Sequence, residues 1–154
     1  MTIRLATSRD RIAVLELAKR LAEQGTPAGR ERRQVEAADA QSIAAAIDSP
    51  SPEAALLVSD EEGTILGFVH IKTVVDYYTQ QPIGHVSDLV VAAQAQGQGL
   101  GRVLLDAAQS WATERGYAMM QLYVLPENTA ARALYERSDY RAEWIKYVRR
   151  LNDT

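Results

Sequence analysis

The chain of 154 residues contains no cysteine. This absence excludes a disulfide framework, a thiolate zinc cluster and a cysteine nucleophile. No stretch approaches the roughly 20 apolar residues of a membrane span, and the N-terminal sequence MTIRLATSRDR lacks the apolar run of a signal peptide. The formal net charge of -3 argues against binding to nucleic-acid phosphates. We therefore expect a cytoplasmic protein without a membrane or nucleic-acid partner.

Histidine is also scarce, since His70 and His85 are the only two. Neither stands at a metal-ligand spacing, so we expect no catalytic metal. The remaining composition, 47% hydrophobic and 24% charged, is that of an ordinary globular protein. The length is close to that of one domain, and we expect residues 1–154 to form a single folded unit.

Periodicity and turn residues predict the order of elements along the chain. A strand containing Ile3 and Leu5 leads into a helix that ends at Gly25, and a second helix covers about residues 35–48. The further elements are a hairpin of strands at 54–59 and 64–78, a strand at 85–92, a helix at 99–115, a strand at 119–125, a short helix ending at 137 and a β-rich segment at 140–151. This order calls for an α/β (α+β) fold with a mixed sheet flanked by helices.

A glycine-rich stretch, residues 96–101 (QGQGLG), lies between a predicted buried strand and the start of a helix. Glycines allow close backbone approach, and the free N–H groups at a helix start favour an anion such as a pyrophosphate. A tight turn without a ligand is an equally good interpretation of the glycines alone. A P-loop is excluded by Arg102 and Val103, and a dinucleotide fingerprint would need glycine in place of Arg102.

These residues resemble the GNAT superfamily of N-acetyltransferases, whose acetyl-CoA motif is Q/R-x-x-G-x-G/A. A second family motif, N-x-x-A-x-x-L-Y, follows at the expected distance. The matching positions are Gln96, Gly99 and Gly101 for the first motif and Asn128, Ala131, Leu134 and Tyr135 for the second. The resemblance extends over about residues 67–140. Where the family usually has Gly-Phe after the tyrosine helix, this chain has Asp139 and Tyr140, and aspartate tolerates the left-handed turn that such a bend needs.

The resemblance implies a largely antiparallel mixed sheet flanked by helices. It also implies a bulge in the central strand that exposes backbone groups to the pantetheine arm of acetyl-CoA. The residues expected to bind this cosubstrate are Leu89, Val90, Val91, Gln96, Gly97, Gln98, Gly99, Leu100, Gly101, Arg102, Asn128, Ala131 and Tyr135. Asn128 could equally serve as a helix cap.

The implied reaction is direct transfer of the acetyl group to an amine in a ternary complex, because no residue pattern suggests a covalent acyl-enzyme. Tyr135 matches the family tyrosine that protonates the departing sulfur. Asp88 is the candidate base, with His85 acting through a water as the second choice. Tyr77, Tyr78 and His85 are candidates for contact with the acceptor amine.

Two functions remain open at this stage. The leading one is an acetyl-CoA-dependent N-acetyltransferase, with a small-molecule amine favoured over a protein amine. The alternative is a non-catalytic acyl-CoA-binding module that uses the same pocket for sensing or assembly. A homodimer is plausible from the resemblance and from the β-rich C-terminal segment.

Overall fold

A computed structural model describes residues 1–152. Its centre is a five-stranded sheet in the order β1-β2-β3-β4-β5. The strands are β1 (Thr2–Leu5), β2 (Ala54–Glu61), β3 (Thr64–Val75), β4 (Pro82–Val91) and β5 (Met120–Leu122). The helices are α1 (Arg11–Ala18), α2 (Arg32–Asp48), α3 (Leu100–Glu114) and α4 (Thr129–Arg137), with short 3-10 turns at Ser8–Asp10, Lys19–Gln24 and Ala93–Ala95. In the part of the chain so described, no helix is both long and apolar enough to cross a membrane.

The sheet is mixed and largely antiparallel, as predicted. Strands β1 to β4 pair antiparallel in sequence order, and only β5 runs parallel to its neighbour β4. A parallel neighbour needs a crossover connection, and α3 supplies it between β4 and β5. The predicted elements up to α4 are present with different ends. Helix α2 begins at Arg32 rather than near Val35, α1 ends at Ala18 and continues to Gln24 as a 3-10 turn, and β5 covers only three of the residues predicted at 119–125.

The helices cover both faces of the sheet, and alternate side chains of each strand enter two different hydrophobic clusters. Helices α1 and α2 pack on one face, and α3 packs on the other. The α1–α2 cluster contains Val14, Ala18, Ile43, Leu56, Val58, Phe68 and Val90. The α3 cluster includes Val69, Ile71, Val86, Leu100, Leu104, Leu105, Ala108 and Trp111.

Strand β4 changes its pairing in the middle. The register with β3 passes from His70↔Asp88 to Ile71↔Val86, which leaves Ser87 as an extra residue in a bulge. On its other side, β4 pairs with β5 only from Gly84 to Val86. From Ser87 onward β4 therefore has a neighbouring strand on the β3 side alone. The bulge that the family resemblance implied is confirmed.

The β-rich C-terminal segment, residues 140–151, does not form the predicted strand. Trp144, Ile145, Tyr147 and Leu151 are exposed in an extended segment that pairs with no strand of the described chain. Strand propensity requires a neighbour with which to form a ladder, and β5 is only three residues long. This segment thus has the residue types of a strand, but its backbone forms no ladder of hydrogen bonds with a described strand.

A buried carboxylate joins the first strand to the first helix. Asp10 is 5% exposed and accepts hydrogen bonds from two guanidinium nitrogens of Arg4, at 2.8 and 3.0 Å, and from the N–H of Thr7 at 2.8 Å. Arg4 also donates to Asp60 of β2. The bonds from Arg4 hold the pKa of Asp10 down at about 2, because they stabilise the ionised form.

We expect Asp10→Asn to lower the free energy of unfolding by about 2 kcal/mol at neutral pH. A folded-state pKa below the unfolded value of 3.8 means that the stabilisation is complete above that value and is lost as pH falls toward 2. Urea unfolding at several pH values measures both effects. The control is Asp48→Asn, which removes an exposed ion pair to Arg11 and should cost less than about 1 kcal/mol. Equal losses in the two variants would contradict the prediction.

Candidate active site

The unpaired edge of β4 presents backbone polar groups to solvent. The N–H of Ala92 donates to Leu66 on the β3 side, so the N–H and carbonyl of Val91 point the other way, and by alternation so do those of Leu89. The carbonyl of Val91 accepts a hydrogen bond of 2.9 Å from Nε of Arg20. Leu89 and Val91, two of the predicted coenzyme-binding positions, therefore lie on an open edge of the sheet. Arg20 also contacts this edge, and the sequence analysis did not single it out.

The glycine-rich loop ends at the free N-terminus of α3. Gly99 is the N-cap residue in a left-handed conformation, and the first intrahelical bond runs from Val103 N–H to Gly99 at 3.2 Å. The three preceding N–H groups, of Leu100, Gly101 and Arg102, have no acceptor among the described hydrogen bonds. With the dipole of a 15-residue helix behind them, they form an anion-binding geometry.

Open space surrounds this loop where a ligand would need it. A Cβ placed on Gly97 or Gly99 would meet no atom within 4 Å, and both residues have positive φ. Gly101 differs, because a Cβ there would lie 3.2 Å from the side chain of Leu134. The third glycine of the loop thus permits close packing of α4 on α3, while the other two form the open turn.

The side chains of the loop take several different environments. Gln96 and Gln98 are exposed, and the amide of Gln98 donates to the carbonyl of Gln94 at 3.4 Å. Arg102 pairs with Asp106 one turn along the helix, at 3.1 Å. Leu100 is buried in the α3 cluster, so only its N–H group can face a ligand.

Helix α4 carries the second motif and is capped at both ends. Asn128 accepts a hydrogen bond of 3.2 Å from the N–H of Ala131, which confirms its capping role. At the other end, Tyr140 N–H donates to Tyr135 and Asp139 N–H donates to Glu136, and Asp139 has a φ of +67°. This is a Schellman ending, so the predicted left-handed turn at the aspartate is confirmed.

The same ending sets the surroundings of Tyr135. The ring of Tyr140 returns against that of Tyr135, with centroids 6.0 Å apart. Burial, followed by the nearby Tyr140 and the charge of Asp88, raises the pKa of Tyr135 to about 12. The hydroxyl is therefore protonated throughout the physiological range.

A polar cluster lies on the opposite face of the sheet, beside the bulge. His70 and Asp88 follow the strand alternation of Phe68 and Val90 and so point to the α1–α2 face. Nδ1 of His70 is 3.5 Å from a carboxylate oxygen of Asp88. His85 lies beyond the bulge on the same face.

Nε2 of Gln121, in β5, lies 3.0 Å from Nδ1 of His85. The centroid of the Tyr123 ring lies 5.3 Å from that of the imidazole. Burial, and then the charge of Lys72, lowers the pKa of His85 below its usual value. The imidazole is therefore held neutral near pH 7. No local pattern predicts the contact between His85 and Gln121, because it depends on the register between β4 and β5.

Tyr135 and Asp88, the predicted acid and base, lie on different faces of the sheet. Tyr135 packs on the α3 cluster, whereas Asp88 belongs to the α1–α2 face. The charge of Asp88 nevertheless contributes, after burial and the nearby Tyr140, to the raised pKa of Tyr135.

Two predicted acceptor residues lie elsewhere. Tyr77 and Tyr78 are 80% and 68% exposed, in the turn between β3 and β4, with their rings 5.2 Å apart. No described hydrogen bond or ring contact joins either of them to His85 or Asp88. Their role in acceptor binding stays a prediction. Over residues 1–152, no group of three or more histidine, aspartate and glutamate side chains is placed to hold a metal ion.

Comparison with known proteins finds relatives whose sequences match part of the chain and solved structures whose folds match nearly all of it. The sequence is 40% identical over 121 residues to the mycothiol acetyltransferase of Salinispora tropica, covering 77% of this chain and 38% of that protein. It is 31% identical over 88 residues to the uncharacterized N-acetyltransferase YhfO of Bacillus subtilis, covering 57% of this chain and 59% of that one. The chain thus spans less than two thirds of the length of these curated relatives.

Solved structures share the fold over nearly the whole chain. The ribosomal-protein-alanine N-acetyltransferase of Brucella melitensis biovar Abortus 2308 superposes with a TM-score of 0.72 at 23% identity, covering 98% of this chain and 100% of that one. The aminoglycoside N-acetyltransferase AAC(6')-Iy, solved in complex with CoA, has a TM-score of 0.73 at 21% identity, with 98% and 95% covered. Over residues 14–140 the sequence matches the Acetyltransferase (GNAT) family, and the chain belongs to that family.

Proposed function

We propose that this chain, as a single domain, is an N-acetyltransferase that moves the acetyl group of acetyl-CoA directly to a primary amine. The observation that carries the proposal is the open edge of β4 after Val86. This edge lies beside the free N–H groups of α3, with Tyr135 and Asp88 on its two sides. Membership of the GNAT family and the CoA complex of a structural neighbour support acetyl-CoA as the donor.

The coenzyme would bind through main-chain groups. Its pyrophosphate fits the N–H groups at the start of α3, where Gly97 and Gly99 leave space. Its pantetheine arm would extend the sheet along the edge of Leu89 and Val91. The ion pair between Arg102 and Asp106 is exposed and therefore weak. The Arg102 side chain is thus free to change its conformation and bind a phosphate of the coenzyme.

In the proposed reaction, the acceptor ammonium first gives one proton to a base. The neutral nitrogen then attacks the thioester carbonyl carbon, and the carbon–sulfur bond breaks. Tyr135 donates its hydroxyl proton to the departing sulfur, and the proton lost by the acetylated nitrogen restores the tyrosine. Holding both substrates in one complex supplies much of the rate, because the attack becomes effectively unimolecular.

A small-molecule acceptor remains favoured over a protein. AAC(6')-Iy is named for an aminoglycoside, whereas the Brucella neighbour is named for a ribosomal protein, so the neighbours include both classes. We further propose a cytoplasmic location and a homodimer, the latter because the exposed apolar side chains of residues 144–151 have no described partner. A non-catalytic acyl-CoA module is less well supported, since the relatives and structural neighbours described above are named as acetyltransferases.

Incubation with acetyl-CoA and a panel of primary amines tests the activity itself. Release of free thiol that depends on the amine supports the enzyme. Tight coenzyme binding without thiol release on any amine supports the binding module.

Gly99→Val should weaken CoA binding by about tenfold or more, because the side chain enters the pyrophosphate space and strains a left-handed residue. Isothermal calorimetry with CoA measures the loss. Gly116→Val is the matched control: it lies at the other end of α3 with φ +75° and equal open space, so it carries the same backbone strain away from the coenzyme. Unchanged affinity in folded Gly99→Val would place the coenzyme elsewhere.

Tyr135→Phe should reduce kcat by about 100-fold and leave acetyl-CoA affinity nearly unchanged, since the proton is needed mainly in the transition state. Steady-state kinetics and calorimetry separate the two quantities. Tyr140→Phe removes the neighbouring hydroxyl, which contacts only the sulfur of Met120 at 3.7 Å, and should have little effect on kcat. Equal kcat in wild type and Tyr135→Phe would remove this residue from the mechanism.

Asp88 and His85 can be separated as bases by their variants. Asp88→Asn should lower kcat by about 100-fold or more, whereas His85→Gln should have a smaller effect, because His85 acts only through a water. The pH dependence of kcat/KM provides a second readout. Because the pKa of His85 is lowered, a His85 base would cause loss of activity as the pH falls below 6.5. A greater loss of kcat in His85→Gln than in Asp88→Asn would reverse the assignment.

A further inference from the structure

The bulge in β4 brings two polar residues of that strand to one face of the sheet. His85 and Asp88 are three residues apart, so a regular strand would direct them to opposite faces. The extra residue, Ser87, shifts the alternation, and both side chains lie on the same face as their β3 partners, Lys72 and His70. Because these partners are two residues apart on one strand, the two opposed pairs lie about 7 Å apart along the sheet.

Three nitrogen-bearing side chains form one row across the sheet. The register places Lys72 of β3 opposite His85 of β4, and His85 opposite Gln121 of β5. Directly opposed residues of antiparallel strands have their Cβ atoms about 5 Å apart. The charge of Lys72 accordingly lowers the pKa of His85, after burial. Lys72 is exposed and forms no ion pair within residues 1–152, so its ammonium group is available to a ligand.

Gln121 decides which nitrogen of His85 carries the proton. An amide nitrogen can only donate a hydrogen bond, and Nε2 of Gln121 lies 3.0 Å from Nδ1 of the imidazole. Nδ1 is therefore the acceptor, and the single proton of the neutral ring is on Nε2. In the described part of the chain this Nε2 has no hydrogen-bond partner, yet it is not one of the buried atoms that lack a partner, so it is open to solvent. His85 thus offers a free N–H group beside the ammonium of Lys72.

The free N–H group and the neighbouring ammonium form a binding geometry for a carboxylate. Hydrogen bonds between charged partners are about twice as strong as neutral ones. A second ammonium group on the acceptor would instead be repelled by Lys72. Asp88, in the row about 7 Å away, is available to an amino group at the other end of the same molecule.

We propose that the acceptor is an amino acid, whose carboxylate binds Lys72 and the Nε2–H of His85 while its amino group lies at Asp88. Lys72 and His85 are thus specificity-determining residues, and Gln121 is a positioning residue that holds the imidazole in the required tautomer. The separation of the two rows favours an acceptor with several carbons between its amino and carboxylate groups, such as 4-aminobutanoate. This inference rests on the proposed function, because it assigns the substrate class of the same site.

The kinetic test compares 4-aminobutanoate with 4-aminobutanamide, which has the same carbon chain and amino group but no charge at the other end. The wild type should show kcat/KM about tenfold or more higher for the acid. Lys72→Met should remove most of this preference through a higher KM for the acid, whereas Lys72→Arg, which keeps the charge, should retain it. A wild type that does not prefer the acid, or a Lys72→Met variant that keeps the preference, would overturn the proposal.

Lys19→Met is the control variant, because Lys19 is an exposed lysine of another element, paired with Glu16 at 2.9 Å. It removes the same charge from the protein and should behave as wild type with both acceptors. Equal loss of the preference in Lys19→Met and Lys72→Met would assign the effect to net charge, and the site at Lys72 would then be wrong.

Nitrogen-15 NMR of the imidazole rings measures the tautomer without any need for activity. His70 and His85 are the only histidines, so the signals that disappear in His85→Gln belong to His85. We expect the neutral ring of His85 to carry its proton on Nε2. A proton on Nδ1 would leave no N–H group for the carboxylate and would overturn the proposal.

Calorimetric titration into the CoA-bound protein separates this inference from the proposed function if no amine is acetylated. Binding of 4-aminobutanoate that exceeds that of 4-aminobutanamide and is lost in Lys72→Met supports the site, and the enzymatic function then fails alone. Binding of the acid that is no stronger than that of the amide overturns the site. Acetylation of both acceptors at equal kcat/KM leaves the proposed function in place and overturns this inference alone. Circular dichroism of each variant confirms that the fold is retained.

Discussion

The structure depends on the loss of strand pairing halfway along β4. A bulge at Ser87 and a three-residue β5 leave the second half of this strand with one neighbour. Unpaired backbone groups in a sheet require a partner, and the edge lies next to an α3 terminus whose N–H groups are equally free. The incomplete sheet and the open helix end thus form one continuous surface of main-chain donors and acceptors.

Two further features direct side chains to that surface. The Schellman ending of α4 folds Tyr140 back on Tyr135 and holds the tyrosine ring at the α3 side of the opening. Strand alternation places Asp88 on the other face, above the buried His70. The predicted acid and base therefore lie on opposite faces of the sheet, next to the half of β4 that has one neighbouring strand.

Much of this arrangement follows from local sequence patterns. The glycine-rich turn, the Asn128 cap and the left-handed Asp139 are each decided by a few neighbouring residues, so their prediction succeeded. The C-terminal strand was predicted wrongly, since strand-forming residues at 140–151 find no partner strand. Arg20, which contacts the edge of β4, gave no local signal at all.

The sequence by itself determined the order of elements up to α4 and the caps of the glycine-rich turn and of α4, because these depend on backbone preferences and on periods of two and 3.6 residues. Only the tertiary structure decided which side chains meet. The pairing of β5 with three residues of β4, the contact of Arg20 with Val91 and the contact of His85 with Gln121 all join residues distant in the chain. Their geometry arises from packing two helices and a sheet around shared apolar clusters, and no local pattern encodes it.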